Sequence, residues 1–262
     1  MHRPKIQPSG GTSFVFDHVF EIAFAPMHGN TTMIQTDPVI SSLWPGDFAP
    51  WRSVPVPHTL GDVALKRSFH PSWIHPFYMA RSCTSTMDLA RHLIGSGLFP
   101  EWASVIAGYQ SNGRGQFGRP WISFEGNLLA AIRLPRHIAT SAVCPLIPAL
   151  AVQRVFQDLG LVSQIKWPND LLIAGKKVGG ILIEDRGGSV IAGIGINLVR
   201  SPEFGAMDPD GAFPAGDLLS SGLSIEPADL WKRVVNSLLD FAETGMENDF
   251  LQTQIGRTYE DI

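Results

Sequence analysis

Four short apolar segments, Ile165 to Trp167, Leu171 to Ala174, Lys177 to Glu184 and Val190 to Asn197, follow one another with only brief interruptions that include Gly175 and Gly187-Gly188. Runs of this length are too short for ordinary helices, and glycine turns fold such runs back on themselves. The spacing therefore predicts a meander of antiparallel strands. Upstream, Ala103 to Gln110 and Asn127 to Leu134 read as further strands. Helices are predicted where apolar residues recur every three or four positions. One carries Leu89, Leu93 and Ile94, is led in by Ser82 to Ser85 and ends at Gly95-Ser96-Gly97; a second spans Leu150 to Leu159 and stops at Gly160. A third opens at Pro227 and carries Leu230, Trp231, Val234, Val235, Leu238, Leu239 and Phe241. Hairpins beside helices define an α+β class, a mixed, largely antiparallel sheet with helices packed on it, rather than a parallel doubly wound sheet.

The first 76 residues differ in character. Ten of the twenty prolines lie there, and Trp44-Pro45-Gly46 and Val54-Pro55-Val56-Pro57 forbid a long helix. One strand is predicted where Phe14, Phe16, Phe20, Ile22 and Phe24 share a parity opposite to Asp17 and Glu21. No paired helical pattern of a DNA-reading helix-turn-helix is present, and a net charge of −4 argues against a nucleic-acid-coating surface. His58, His70 and His75 lack ligand spacing and read as loop residues. Cys83 and Cys144 stand far apart without C-x-x-C or C-x-x-H spacing, which predicts core thiols rather than a disulfide or zinc site. No apolar run reaches ~18 residues and no early segment has the form of a secretion signal, so a soluble, cytoplasmic protein without a membrane partner is expected.

Two segments carry chemistry. Gly113, Gly115 and Gly118 fit G-x-G-x-x-G after a strand, the pattern of a dinucleotide-binding turn. Its context fails, because Pro120-Trp121-Ile122-Ser123-Phe124-Glu125-Gly126 follows where a helix should begin, and Leu134-Pro135 stand where the ribose-binding acid should be. What remains is a glycine-rich loop with Arg114 and Arg119, whose guanidinium forks suit carboxylate or phosphate oxygens. A long hairpin turn with solvated arginines is the plainer reading of that loop alone. Lys166-Trp167-Pro168-Asn169-Asp170 then sets a lysine at a strand end, either as an edge-strand lysine capping a turn or as a point charge for a carboxylate and an α-phosphate together. Gly179-Gly180 and Gly193-Ile194-Gly195-Ile196-Asn197 let a ligand lie close to strand backbone, which draws these pieces into one site on a sheet.

From about Phe77 onward the chain resembles the catalytic domain of the biotin–protein ligases, in the superfamily they share with lipoate–protein ligases. The resemblance is carried, in order, by Ser85-Thr86, Tyr109-Gln110, Gly113-Arg114-Gly115 through Trp121, Lys166 through Asp170, Gly180-Ile181-Leu182-Ile183-Glu184 and Gly193 through Asn197. It implies a class II biotin/lipoate ligase-like catalytic domain over 77–262, with 1–76 as a proline-rich segment of separate role. By similarity Ser85, Thr86, Gln110, Gly113, Arg114, Gly115, Gln116, Lys166 and Gly180 would line the biotin site, with Lys166 and Arg114 as its catalytic pair. Arg119, Trp121, Asn169, Gly193, Gly195 and Asn197 would line the ATP site. The implied substrates are biotin and ATP, with Mg²⁺ carried by the nucleotide rather than by protein ligands. The implied partner is a biotin carboxyl carrier protein domain; no DNA partner is expected, and a homodimer is compatible with the family.

Three positions depart from the family pattern: Met87 replaces an asparagine after Ser85-Thr86, Gly108 an acidic residue and Gln116 a second loop arginine. Together they predict a more loosely held adenylate. The 65 residues after Asn197 suffice for the end of a catalytic domain but not also for the small SH3-like domain of many relatives. Two other functions fit the same residues less well. One is a lipoate or octanoate ligase or transferase of the same fold, and the other a noncatalytic biotin- or nucleotide-binding protein.

Overall fold

In a computed structural model, the described residues are 75–139, 146–203 and 213–244, together with the backbone of three strands, β1 (Phe16–Ile22), β2 (Arg52–Leu60) and β3 (Val63–Phe69). The alternating segment near residue 20 is thus a strand over 16–22; Phe14 and Phe24 lie outside the described residues, as does Cys144. The remaining strands of the main sheet are β4 (Phe77–Cys83), β5 (Ser104–Gln110), β8 (Leu128–Leu134), β9 (Ser163–Lys166), β10 (Asp170–Ile173), β11 (Lys176–Arg186) and β12 (Ser189–Ile196). They lie in the order β2-β3-β1-β4-β5-β8-β12-β11-β10-β9.

The predicted meander is the four strands β9 to β12 at one end of the sheet. Each of its strands pairs antiparallel with the next, and the turns carry Gly175, Gly187 and Gly188 at positive φ (71°, 59° and 77°), which glycine adopts without a Cβ penalty. Two neighbouring pairs, β1 with β3 and β4 with β5, are parallel; the other pairings are antiparallel, which makes the sheet mixed and largely antiparallel. The β4–β5 pair follows from its connection. Helix α1 (Thr86–Gly95) crosses between the two strands, so the second must enter in the same direction as the first.

Alternation along β4 and β8 sends side chains to two cores. Phe77, Met79, Leu128, Ala130 and Ile132 face one, with Val152, Phe156, Leu230, Trp231 and Val234 from helices α3 (Ile147–Asp158) and α4 (Pro227–Thr244). Tyr78, Ala80, Ala131 and Ile191 face the other, under Leu89, Ala90 and Leu93 of α1. A short helix, α2 (Arg136–Ala139), follows β8. Fully buried Trp231 donates its indole N–H to Ser104 Oγ at 3.1 Å, which ties α4 to the first residue of β5. No helix among the described residues is long and apolar enough to cross a membrane.

Candidate active site

The site lies along β11 and β12, between α1 and the glycine-rich loop. That loop is a tight hairpin: β6 (Gly113–Arg114) pairs with β7 (Pro120–Trp121) across a single 3₁₀ turn at Gln116–Gly118. No helix follows it, which is why the dinucleotide pattern is only a coincidence of spacing. Gly113 has a packing reason: a Cβ there would stand 2.7 Å from the Trp121 carbonyl oxygen and 3.0 Å from Gln110 Nε2. Phe117 sits at the loop tip with φ 56° and is 91% exposed.

A cavity of about 490 Å³ opens beneath this hairpin, within the usual range for small-ligand sites. Among the residues anticipated from sequence, Ser85, Thr86, Gln110, Arg114, Gly115, Gln116, Arg119, Trp121, Lys166, Asn169, Gly180, Gly193, Gly195 and Asn197 line it. Gly113 does not; it lies behind Trp121.

One part of the lining is polar and buried. Ser85 caps α1, its Oγ accepting the Asp88 N–H at 3.1 Å, so the hydroxyl is committed to the helix start. Gln110 Oε1 accepts from the Thr86 N–H at 2.7 Å and faces the Thr86 hydroxyl at 3.0 Å. Thr86 Oγ1 also lies 3.3 Å from the Ala130 carbonyl, while Gln110 Nε2 has only a long contact, 3.5 Å, with Ser123 Oγ. The Thr86 lone pairs and the Gln110 amide hydrogens therefore remain for a ligand. Met87 is buried here too, and its thioether covers Gly193: a Cβ on that glycine would meet Met87 Sδ at 2.8 Å.

The other part is cationic. Among the described residues its charged lining is Arg114, Arg119, Lys166 and Lys177 with one carboxylate, Asp170. Lys166 ends β9 opposite Asp170 in β10, and its Nζ stands 4.9 Å from the ring centroid of Phe213. Lys177 Nζ pairs with Asp170 Oδ1 at 2.7 Å and lies 6.0 Å from the Trp121 ring. Sequence reasoning missed Lys177. Its position in the strand that follows Gly175 gave no sign that it turns toward the cavity; the eleven-residue distance from Lys166 closes only through the β10–β11 hairpin.

Three groups of these lining residues also have partners within the protein. The sheet glycines, expected to admit a ligand, here admit the indole of Trp121. A Cβ on Gly195 would stand 2.5, 2.6 and 2.9 Å from its Cε2, Cζ2 and Nε1, and one on Gly180 would stand 3.1 Å from its Cζ3. Trp121 Nε1 is buried and has no hydrogen-bond partner among the described residues. Asn169 and Asn197 are struts. Asn169 Nδ2 donates to the Ile181 carbonyl at 2.9 Å, while Asn197 Nδ2 donates to the Gly216 carbonyl at 3.0 Å and Asn197 Oδ1 receives Asn127 Nδ2 at 3.3 Å. Arg114 engages carboxylates of the protein: Nη1 and Nη2 donate to Asp88 at 2.9 and 2.7 Å, and Nε stands 3.5 Å from Glu184. Burial works against ionisation of Asp88, but the hydrogen bond and charge of Arg114, with Ser85 and Arg91, outweigh it and hold the carboxyl below the usual range.

Fold and site define an α+β protein that can hold a small, partly apolar ligand against a buried amide and a polyanion against several cations. The Biotin/lipoate A/B protein ligase family profile matches residues 79–199. A crystal structure of biotin protein ligase from Leishmania major in complex with biotin is 30% identical, with 63% of this chain and 72% of that chain covered at a TM-score of 0.54. The same protein in complex with biotinyl-5-AMP is 27% identical, with 71% and 81% covered at a TM-score of 0.57. A biotin–[acetyl-CoA-carboxylase] ligase of Paracoccus denitrificans is 35% identical over 154 residues, 55% of this chain and 61% of the relative. The chain belongs to the biotin/lipoate A/B protein ligase family. It spans about half to three-fifths of the length of the first curated relatives it matches.

Proposed function

We propose that this chain activates biotin with ATP to biotinoyl-5'-AMP and passes the biotinoyl group to a lysine of a biotin carboxyl carrier protein domain. One observation carries the reading: a single cavity joins the Thr86–Gln110 amide and hydroxyl cluster to three cations, Lys166, Lys177 and Arg119, of which Lys177 is paired with Asp170. A ureido ring needs donors and acceptors in an otherwise apolar recess, and Thr86, Gln110, Met87 and Ala130 provide that combination. A carboxylate and a triphosphate repel each other, and fixed cations are what brings them together.

In the first step a biotin carboxylate oxygen attacks the α-phosphorus of ATP. An O–P bond forms as the bond to the β-phosphate oxygen breaks, and pyrophosphate leaves. Lys166, at the strand end, neutralises the charge shared by the two reacting groups. Lys177 exchanges Asp170 for a phosphate oxygen, and Arg119 meets the phosphates from the loop. Trp121 closes over the sheet glycines beside the nucleotide. In the second step the carrier lysine amine attacks the carbonyl of the mixed anhydride, AMP leaves, and the nitrogen loses its proton. No side chain acts as a nucleophile, so no covalent enzyme intermediate forms. Magnesium supplies charge neutralisation of the triphosphate. Among the described residues Asp170 is the one carboxylate lining the cavity, and it is paired with Lys177; that donor set fits an ion brought in on ATP, which Asp170 would help to hold.

Pyrophosphate release with ATP and biotin, lipoate or octanoate in turn tests this reading. Release with biotin supports it, release only with lipoate or octanoate replaces the acid, and none with any acid makes the chain a binding protein. Transfer to a purified carrier domain, detected as biotinylated lysine, tests the second step.

A further inference from the structure

The ionic cluster behind Arg114 joins α1, β11 and the stem of the hairpin. Asp88 stands in the first turn of α1, the helix that carries Thr86 and Met87. Its carboxylate receives both terminal nitrogens of Arg114 at 2.7 and 2.9 Å and Arg91 Nη1 at 2.9 Å. Glu184, on the strand that also carries Gly180, pairs with Arg91 Nη2, lies 3.5 Å from Arg114 Nε, and has Arg186 Nε at 3.9 Å. Arg114 itself belongs to β6, the stem of the hairpin that places Trp121 on Gly195. The Asp88 and Glu184 side chains are only 14% and 15% exposed, so these pairs are screened far less than surface ones.

Both terminal nitrogens of Arg114 are held by Asp88 and its Nε faces Glu184, which commits the fork to carboxylates of the protein itself. We propose that Asp88, with Glu184, is a positioning residue: it clamps the Arg114 stem so that the hairpin, with Trp121 and Arg119, stays docked over the cavity. Arg114 then serves the reaction through the clamp, and the anion is met by Lys166, Lys177 and Arg119. The two carboxylates act on the loop and not on the substrate. This inference rests on the adenylate-forming reading for its consequence, but the clamp itself exists without ligand.

Hydrogen–deuterium exchange of the full chain without ligand tests the clamp directly. Asp88→Asn keeps the backbone N–H that Ser85 caps but loses the carboxylate. Exchange in residues 113–121 is expected to rise about tenfold, with Asp88→Glu restoring most of the protection. With ATP and biotin, KM for both should rise about tenfold while kcat for pyrophosphate release changes less than threefold. Arg114→Gln should produce the same loop exposure, and the double variant should be no worse than either single one, since one interaction is removed twice. Glu184→Gln, expected to expose the same segment to a smaller extent, stands in if Asp88→Asn does not fold. Unchanged exchange at 113–121 in Asp88→Asn, or independent multiplying losses from Asp88 and Arg114, would overturn the clamp. Absence of pyrophosphate release in the wild-type chain would instead overturn the adenylation reading, while the ligand-free exchange still decides the clamp.

Discussion

Adding one methyl group at Gly195 gives a sharp test of how the Trp121 hairpin seats. The new Cβ would lie 2.5 Å from Cε2, 2.6 Å from Cζ2 and 2.9 Å from Nε1 of the indole. Comfortable contact between such atoms needs about 3.5 Å or more, so the ring must retreat by roughly 1 Å. The same ring also lies close over the neighbouring strand, where a Cβ on Gly180 would stand 3.1 Å from Cζ3. If the ring holds its place, overpacking costs about 1–3 kcal/mol of stability. If it yields, the hairpin carrying Arg119 is displaced with it, and a misplacement near 1 Å is worth about 10²-fold in catalysis. Gly195→Ala is therefore expected to lower kcat/KM for biotin-dependent pyrophosphate release by about 10²-fold, or to lower the melting temperature. Gly95→Ala, where a Cβ meets nothing within 4 Å, should do neither. A Gly195→Ala protein with wild-type kcat/KM and wild-type melting temperature would refute the packing argument.

Lys177→Gln should raise KM for ATP at least tenfold and leave biotin affinity within about twofold, measured by calorimetry for biotin alone, because Lys177 pairs with Asp170 in the cationic part of the cavity. Trp231→Phe removes the donor to buried Ser104 Oγ and should cost about 1–3 kcal/mol in urea unfolding. Cys83 is fully buried, and burial with the nearby Asp88 charge pushes its thiol up, so the native chain should leave Cys83 unlabelled by iodoacetamide at pH 8 in peptide mapping. Asp88, held below the ordinary carboxylate range, contributes stability that is complete above its unfolded value of about 3.9 and lost as pH falls through its lower folded value. Protection of residues 113–121 should thus persist from neutral pH to about pH 4 and fail only in more acidic solution.

Local signals in the chain announced the elements that local physics decides. The glycine turns at 175 and 187–188 foretell the β9–β12 meander, Ser85 marks the start of α1, and Gly160 stops α3 at φ 81°. The parallel β4–β5 pair was not legible, since a pairing across a helix depends on how that helix packs and not on any periodicity of the strands. The site divides the same way. Lys166 and the loop arginines stood out because motifs surround them, whereas Asp88 lies in no motif and Glu184 ends its motif with no sign of the partner it meets. Their partner Arg114 is 26 and 70 residues away, and only the closed sheet brings the three together. Sheet glycines were legible as sites of close approach; that Trp121 and Met87 make the approach was not.

Direct detection of the acyl-adenylate tests the central claim most simply. The purified chain, incubated with ATP, Mg²⁺ and biotin and then freed of small molecules, is denatured and its released ligand weighed by mass spectrometry. The account predicts biotinoyl-5'-AMP, formed only when biotin and ATP are both present and consumed when a carrier domain is added, with its level sharply reduced in Lys166→Ala. Recovery of no adenylate, together with no biotin-dependent pyrophosphate release, would contradict it.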